Sequence, residues 1–195
     1  AILFHSWTLD LIESYFPEMK LITVLRDPLD RTVSGFQSRL RMGKPKYYQP
    51  WRPNEASAFA IFRTVDDFLQ ALISDNEYEE SASQYALDNI LALSWGYAHY
   101  FKSPEHAAAC RHKFACIKDI GQIATLVDFL ASESMVLSLE SDPGSLVDRY
   151  RPSHVSQVSA SSILSKYTAD EILRMKKRLS LEYKIYHELI SPAFG

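Results

Sequence analysis

The sequence predicts an α/β domain built on parallel strands. Three observations point there. A compact, partly β-branched apolar run lies at Lys20–Leu25. A helix-start signal, Asp27-Pro28, follows it at once. Further short apolar runs then alternate with amphipathic stretches, the pattern of strands separated by helices.

Taken in order, residues 9–16 (LDLIESYF) read as a short helix that Pro17 ends. Lys20–Leu25 reads as a buried strand of the parallel-sheet kind. Asp27 suits an N-cap and Pro28 the first helical position, so a helix is expected from there to about Arg41, with Gly43 as its stop. Residues 43–57 (GKPKYYQPWRPNEAS) read as a long surface loop. Phe68–Ile73, behind Val65-Asp66-Asp67, reads as a capped helix. A polar break is expected at 74–83, then an amphipathic segment at 84–101. Phe114–Ile117 and Met135–Leu139 are strand candidates, with a helix at Asp119–Ala131 between them. Residues 141–162 read mostly as loop. Thr168-x-x-Glu171 is a capping box, and the 3–4 residue spacing of Ile172, Met175, Leu179, Tyr183, Tyr186 and Leu189 predicts one long helix with one buried stripe.

Composition narrows the function classes. The chain has 195 residues, 47% of them hydrophobic, with 10 Phe, 11 Tyr and 3 Trp. That suits one domain over 1–195 with a sizeable core, and excludes disorder for most of it. Net charge is -3, so no nucleic-acid partner is expected, although a local anion site is compatible with that total. Cys110 and Cys116 are too few for a disulfide scaffold. They read as ordinary thiols, with one bridge as the alternative. There is no transmembrane run of 18 apolar residues and no signal segment. The start at Ala1, without Met, reads as the start of a fragment.

The sharpest candidate site is Leu21–Leu40 (LITVLRDPLDRTVSGFQSRL). A strand there delivers Arg26 to the carboxyl edge of a sheet, where open α/β folds bind ligands. The helix that follows directs unpaired N–H groups and its dipole at the same place, which favours an anion. At 100° per residue, Leu29, Val33, Phe36 and Leu40 share one face. Arg31, Ser34 and Ser38 share the opposite one. Arg26 offers a planar fork of donors and Ser34 a hydroxyl. Asp27 is expected to cap the helix, supported by Arg31 at i+4. An ordinary strand–helix unit with a solvated basic surface is the alternative.

Residues 26–34 (RDPLDRTVS) resemble the 3'-phosphate-binding motif of the sulfotransferases that use 3'-phosphoadenylyl sulfate (PAPS), and most of all the branch that sulfates glycans. Glu182-Tyr183-x-x-Tyr186 resembles that branch's closing helix. The resemblance implies a P-loop-NTPase-like three-layer sandwich with a central parallel sheet, incomplete at its N-terminus. It implies transfer of a sulfuryl group from PAPS to an acceptor hydroxyl, with a glycan as one candidate acceptor and adenosine 3',5'-bisphosphate as product. Arg26 and Ser34 would hold the 3'-phosphate, and His5 would be the general base, with Glu13 as runner-up. The family's Lys-x-Gly-Thr loop for the 5'-phosphosulfate does not occur here. An inactive sulfotransferase-like nucleotide-binding or scaffold domain is one alternative function, and a P-loop-type kinase the other, although its G-x-x-x-x-G-K-[ST] element is absent too.

Other groups carry weaker signals. His154 suits a covering loop or plain surface. Lys44, Lys46, Tyr47, Tyr48, Trp51 and Arg52 suit an anionic or stacking acceptor, or a solvated loop with a few packed aromatics. His99, His106 and His112 lack zinc spacing, Cys110 and Cys116 with His112 are weak as a cluster, and no metal is expected.

Overall fold

Short helices, most of them started by a side-chain cap, make up the bulk of the molecule. The computed structural model describes residues 8–19, 21–42, 50–117 and 158–191. The elements are α1 (Leu9–Tyr15), β1 (Leu21–Val24), α2 (Pro28–Met42), α3 (Pro53–Ile61), α4 (Val65–Ile73), α5 (Glu77–Asn89), α6 (Leu91–Ser94), α7 (Tyr97–Phe101), α8 (Pro104–Cys110), a 3-10 turn at Arg111–Lys113, β2 (Phe114–Ile117), α9 (Ala160–Leu164), α10 (Ala169–Arg178) and α11 (Ser180–Ile190).

The caps explain where these helices begin. Thr64 Oγ1 accepts from Asp67 N–H at 3.1 Å while the Asp67 carboxylate accepts from Thr64 N–H at 2.9 Å, a capping box for α4. Thr168 and Glu171 repeat the device at α10. Asn76 starts α5 by accepting from Tyr78 N–H and Glu79 N–H. Ser103 does so for α8 and Ser159 for α9. The chain turns between α7 and α8 at Lys102, whose φ of 61° places it on the left-handed side that glycine ordinarily occupies.

Two apolar clusters hold the elements together. The larger joins α2 through α6 with α9 and α10, around Phe36, Phe68, Leu69, Leu72, Ile90 and Met175. Phe36 stacks on Phe68 at 5.0 Å between centroids and meets Phe59 edge-on at 5.3 Å, contacts that add to the area burial. The smaller cluster joins α1, β1, α7, α8 and α11 through Leu9, Ile12, Leu25, Tyr97, Phe101, Ala107, Ile185 and Leu189.

The strands at 21–24 and 114–117 pair parallel, Leu21 opposite Phe114 and Val24 opposite Ile117. Among the described residues that two-stranded ribbon is the whole sheet. This corrects the expected α/β three-layer sandwich with a central parallel sheet. The local reading of 20–25 as a strand and of Asp27-Pro28 as a helix start agrees with the structure. Its extrapolation to a sheet does not, because the chain between the two strands folds as helices that pack on one another.

Other boundaries differ as well. The expected loop 43–57 contains the start of α3, and the expected polar break 74–83 contains the start of α5. The single long C-terminal helix is two, α10 and α11, separated at Leu179 with φ −94° and ψ 24°. The expected helix at 119–131 and strand at 135–139 lie outside the described residues. Among the described residues, no helix is long and apolar enough to cross a membrane.

Candidate functional site

At residues 26–34 the Arg26 backbone, the Asp27 carboxylate and the Arg31 guanidinium all have hydrogen-bond partners within the protein. Asp27 Oδ1 accepts from Leu29 N–H at 2.9 Å and Asp30 N–H at 3.2 Å, so the cap takes the donors that an anion would need. Tyr183 Oη donates to the same carboxylate at 2.7 Å. Burial, and then the hydrogen bond and charge of Asp27, push the Tyr183 hydroxyl well above the usual phenol range. Tyr97 Oη accepts from Arg26 N–H at 2.8 Å and donates to Arg26 C=O at 2.7 Å, fixing the backbone where β1 ends. Burial pushes the Tyr97 hydroxyl up to about 12.

The side chains that were candidates for phosphate binding have other surroundings. Arg26 is exposed and Ser34 is half-buried midway along α2. Arg31, expected to support Asp27 and face outward, turns its guanidinium to the carbonyls of Ala92 and Trp95 and lies 5.8 Å from the Tyr97 ring centroid. Glu182, in the motif that resembled a closing helix, accepts from Tyr97 N–H at 2.6 Å and Ala98 N–H at 2.9 Å, at the start of α7. Trp51 is no stacking platform. Its ring lies 4.6 Å from Phe59 and its Nε1 donates to Arg39 C=O at 2.7 Å. His5, His154, Lys44, Lys46, Tyr47 and Tyr48 lie outside the described residues.

A second constellation forms where α1 meets α8. Ligand atoms of Glu13, His106 and Cys110 all lie within 4.8 Å of one another. The smaller apolar cluster positions them, since Leu9 and Ile12 of α1 and Ala107 and Cys110 of α8 are buried together. Glu13 therefore projects from α1 toward the face of α8 that carries His106 and Cys110, one turn apart. Cys110 Sγ donates to Glu13 Oε1 at 3.7 Å. Lys113 Nζ pairs with the same oxygen at 2.7 Å.

The histidine is oriented by its backbone neighbour. His106 Nδ1 lies 2.7 Å from the Phe101 carbonyl, which can only accept, so Nδ1 carries the proton. In the neutral ring, Nε2 is then the atom with the free lone pair. Nε2 also lies 3.4 Å from Asp10 Oδ1, and Asp10 pairs with Lys102. The hydrogen bond from Lys113 holds the Glu13 carboxyl below the usual range, and burial followed by the Glu13 charge pushes the Cys110 thiol up.

Sequence spacing gave no sign that Glu13 joins this group, since Glu13 and Cys110 stand 97 residues apart. The one local signal was His106 and Cys110 at i and i+4, which places both on one helical face.

No protein-family model, curated protein or solved structure matches the chain. The resemblance to PAPS-dependent sulfotransferases is accordingly corrected. The described fold is a helical body with a two-stranded ribbon, without the central sheet that such a donor site requires. Sulfotransferase activity, PAPS and adenosine 3',5'-bisphosphate as ligands, and the nucleotide and hydroxyl acceptor as partners fall with it. So do the P-loop kinase and the inactive sulfotransferase-like domain. The nucleotide 3'-phosphate roles of Arg26 and Ser34 and the base role of His5 came from that resemblance, whereas Arg26 and Ser34 as donors to an anion were also read from the strand–helix spacing.

Proposed function

We propose that this domain binds a divalent transition metal between α1 and α8, with Glu13, His106 and Cys110 as ligands. The observation that carries the reading is the convergence of a carboxylate oxygen, an imidazole nitrogen and a thiol sulfur within 4.8 Å. This reading departs from the expectation of no metal, which rested on spacing along the chain.

The donor set selects the ion. Mixed O, N and S ligands suit Zn²⁺, which accepts all three in tetrahedral geometry. The Phe101 carbonyl on His106 Nδ1 is the outer-shell contact that metal-bound histidines ordinarily make, fixing the tautomer and aiming Nε2. Ion binding would release the Cys110 thiol proton to solvent, because only the thiolate is a good ligand. Lys113 beside Glu13 would compete for that carboxylate and temper the affinity.

Zn²⁺ titration of metal-free protein, followed by calorimetry and by thermal unfolding, tests the reading. Saturation with one ion per chain is expected. At free Zn²⁺ of ~100 times Kd the stabilisation is about 2.7 kcal/mol, a rise in Tm of roughly 5–11 °C. The double variant His106→Ala/Cys110→Ser should lose both signals. Equal binding by the variant and the parent would overturn the assignment.

A further inference from the structure

We propose that Asp10 is a fourth ligand, which closes a tetrahedral shell and makes the ion a structural lock between α1 and α8 rather than a reaction centre. This rests on the metal-binding reading above. The argument is one of edge lengths. Ordinary Zn–ligand distances give tetrahedral edges of about 3.4 Å for an N···O pair and about 3.6 Å for an S···O pair. His106 Nε2 and Asp10 Oδ1 stand 3.4 Å apart, and Cys110 Sγ and Glu13 Oε1 stand 3.7 Å apart. Two edges, each joining one residue of α1 to one of α8, thus already have the length that a shared ion demands.

The helices supply the pairs in register. Asp10 and Glu13 are i and i+3 on α1, and His106 and Cys110 are i and i+4 on α8, so each pair shares one face of its helix. The Asp10 carboxylate stands outside the group of Glu13, His106 and Cys110 atoms that lie within 4.8 Å of one another, and with its side chain 44% exposed and paired to Lys102 it would have to rotate inward to complete the shell. Lys102 pairs with Asp10 and Lys113 with Glu13. Lys102 sits on Asp10 Oδ2, the oxygen turned away from His106, and can stay as an outer donor; Lys113 sits on Glu13 Oε1, the oxygen nearest Cys110, and would have to move to Oε2.

A closed shell leaves no position for water or substrate, and that is measurable with Co²⁺ as the probe. In the wild-type protein Co²⁺ should give a thiolate-to-metal band that Cys110→Ser removes, and added azide should leave the visible spectrum unchanged. In Asp10→Ala the opened position should take azide with a visible shift, and Zn²⁺ affinity should fall at least ~10-fold. An azide shift in the wild-type protein would overturn the proposal without needing any variant to fold. So would unchanged Zn²⁺ affinity in Asp10→Ala and in Asp10→Asn. Absence of the thiolate band in the wild-type protein would instead refute the metal-binding reading itself.

Discussion

Replacing Glu55 by Gln should destabilise the fold by about 3–5 kcal/mol, the usual effect of breaking a buried ion pair from one side. Glu55 is 0% exposed and Arg39 is 4% exposed. Oε1 accepts from Arg39 Nε at 2.7 Å and from Leu91 N–H at 3.0 Å. Oε2 accepts from Arg39 Nη2 at 2.5 Å and from Arg52 N–H at 3.0 Å. One carboxylate thus ties α2, the start of α3 and the start of α6. An amide keeps one acceptor and turns two N–H donors toward donors already there, while the guanidinium stays buried without its counter-charge. For a chain of this size the loss is roughly 6–20 °C in Tm, read by far-ultraviolet circular dichroism at pH 7. Acid should uncover the same pair. Burial alone would raise the Glu55 pKa, but the hydrogen bonds from Arg39, Arg52 and Leu91 outweigh it and hold the group below its ordinary 4.5. Its contribution is therefore complete above pH 4.5 and is lost as pH falls further. Wild-type Tm should drop over that window, and the Glu55→Gln variant should lack this part of the drop. Arg39→Met/Glu55→Leu, which removes both charges, should recover the part of the loss due to the uncompensated guanidinium, but not the part due to the Leu91 and Arg52 N–H groups, which lose their acceptor. A loss below ~1 kcal/mol in Glu55→Gln would refute the reasoning, since it would sit in the range of exposed pairs.

Three further substitutions test the joint around 26–34, each by thermal unfolding. Gly96→Ala would place a Cβ 2.5 Å from the Glu182 carboxyl carbon and push that carboxylate off the α7 N–H groups, at about 1–3 kcal/mol. Since φ at Gly96 is an ordinary −74°, the effect should largely vanish in a Glu182→Ala background. Tyr183→Phe removes the 2.7 Å hydrogen bond to Asp27 and should lose about 1.5–3 kcal/mol, the range for bonds to charged groups. Arg26→Ala should stay within ~0.5 kcal/mol of wild type, because its side chain is exposed and Tyr97 holds only its backbone.

What the sequence showed depended on how local the cause was. The β1–α2 unit was legible because Asp27-Pro28 and the apolar run 21–25 act within a few residues. The capping box at Thr168 was legible for the same reason. Helix α5 was not. Its first turn, Glu77-Tyr78-Glu79-Glu80, is exposed and polar, and its buried face is made of Ala82, Ser83 and Ala86, too small to register as an apolar stripe. Asn76 was the only local sign of its start. The C-terminal stripe was read correctly as far as Leu179. There the helix breaks, so Met175 and Leu179 enter the larger cluster while Ile185 and Leu189 enter the smaller. That partition follows from which helices lie on either side, and no period in the sequence encodes it. The candidate metal ligands were hidden for a related reason. Glu13 and Cys110 meet because Leu9, Ile12 and Ala107 bury a shared face, a tertiary cause.

At the joint at 26–34, groups that suit an anion already have partners within the protein. An arginine, a helix start and a serine make a cradle only if their donors are free. Here Asp27 already supplies the negative charge that the α2 dipole favours, and takes the N–H groups of Leu29 and Asp30. Tyr183 and Tyr97 complete the hydrogen bonding from α11 and α7. Asp30 reinforces the point. Burial, and then the nearby Asp27, push its carboxyl above the usual range, so the site already resists one further negative charge. A phosphate there would have to displace the Asp27 cap and sit beside two carboxylates, and the exposed Arg26 alone would not offset that. The joint is a structural junction between β1, α2, α7 and α11; among the described residues, the ligand atoms that converge within 4.8 Å are those of Glu13, His106 and Cys110, between α1 and α8.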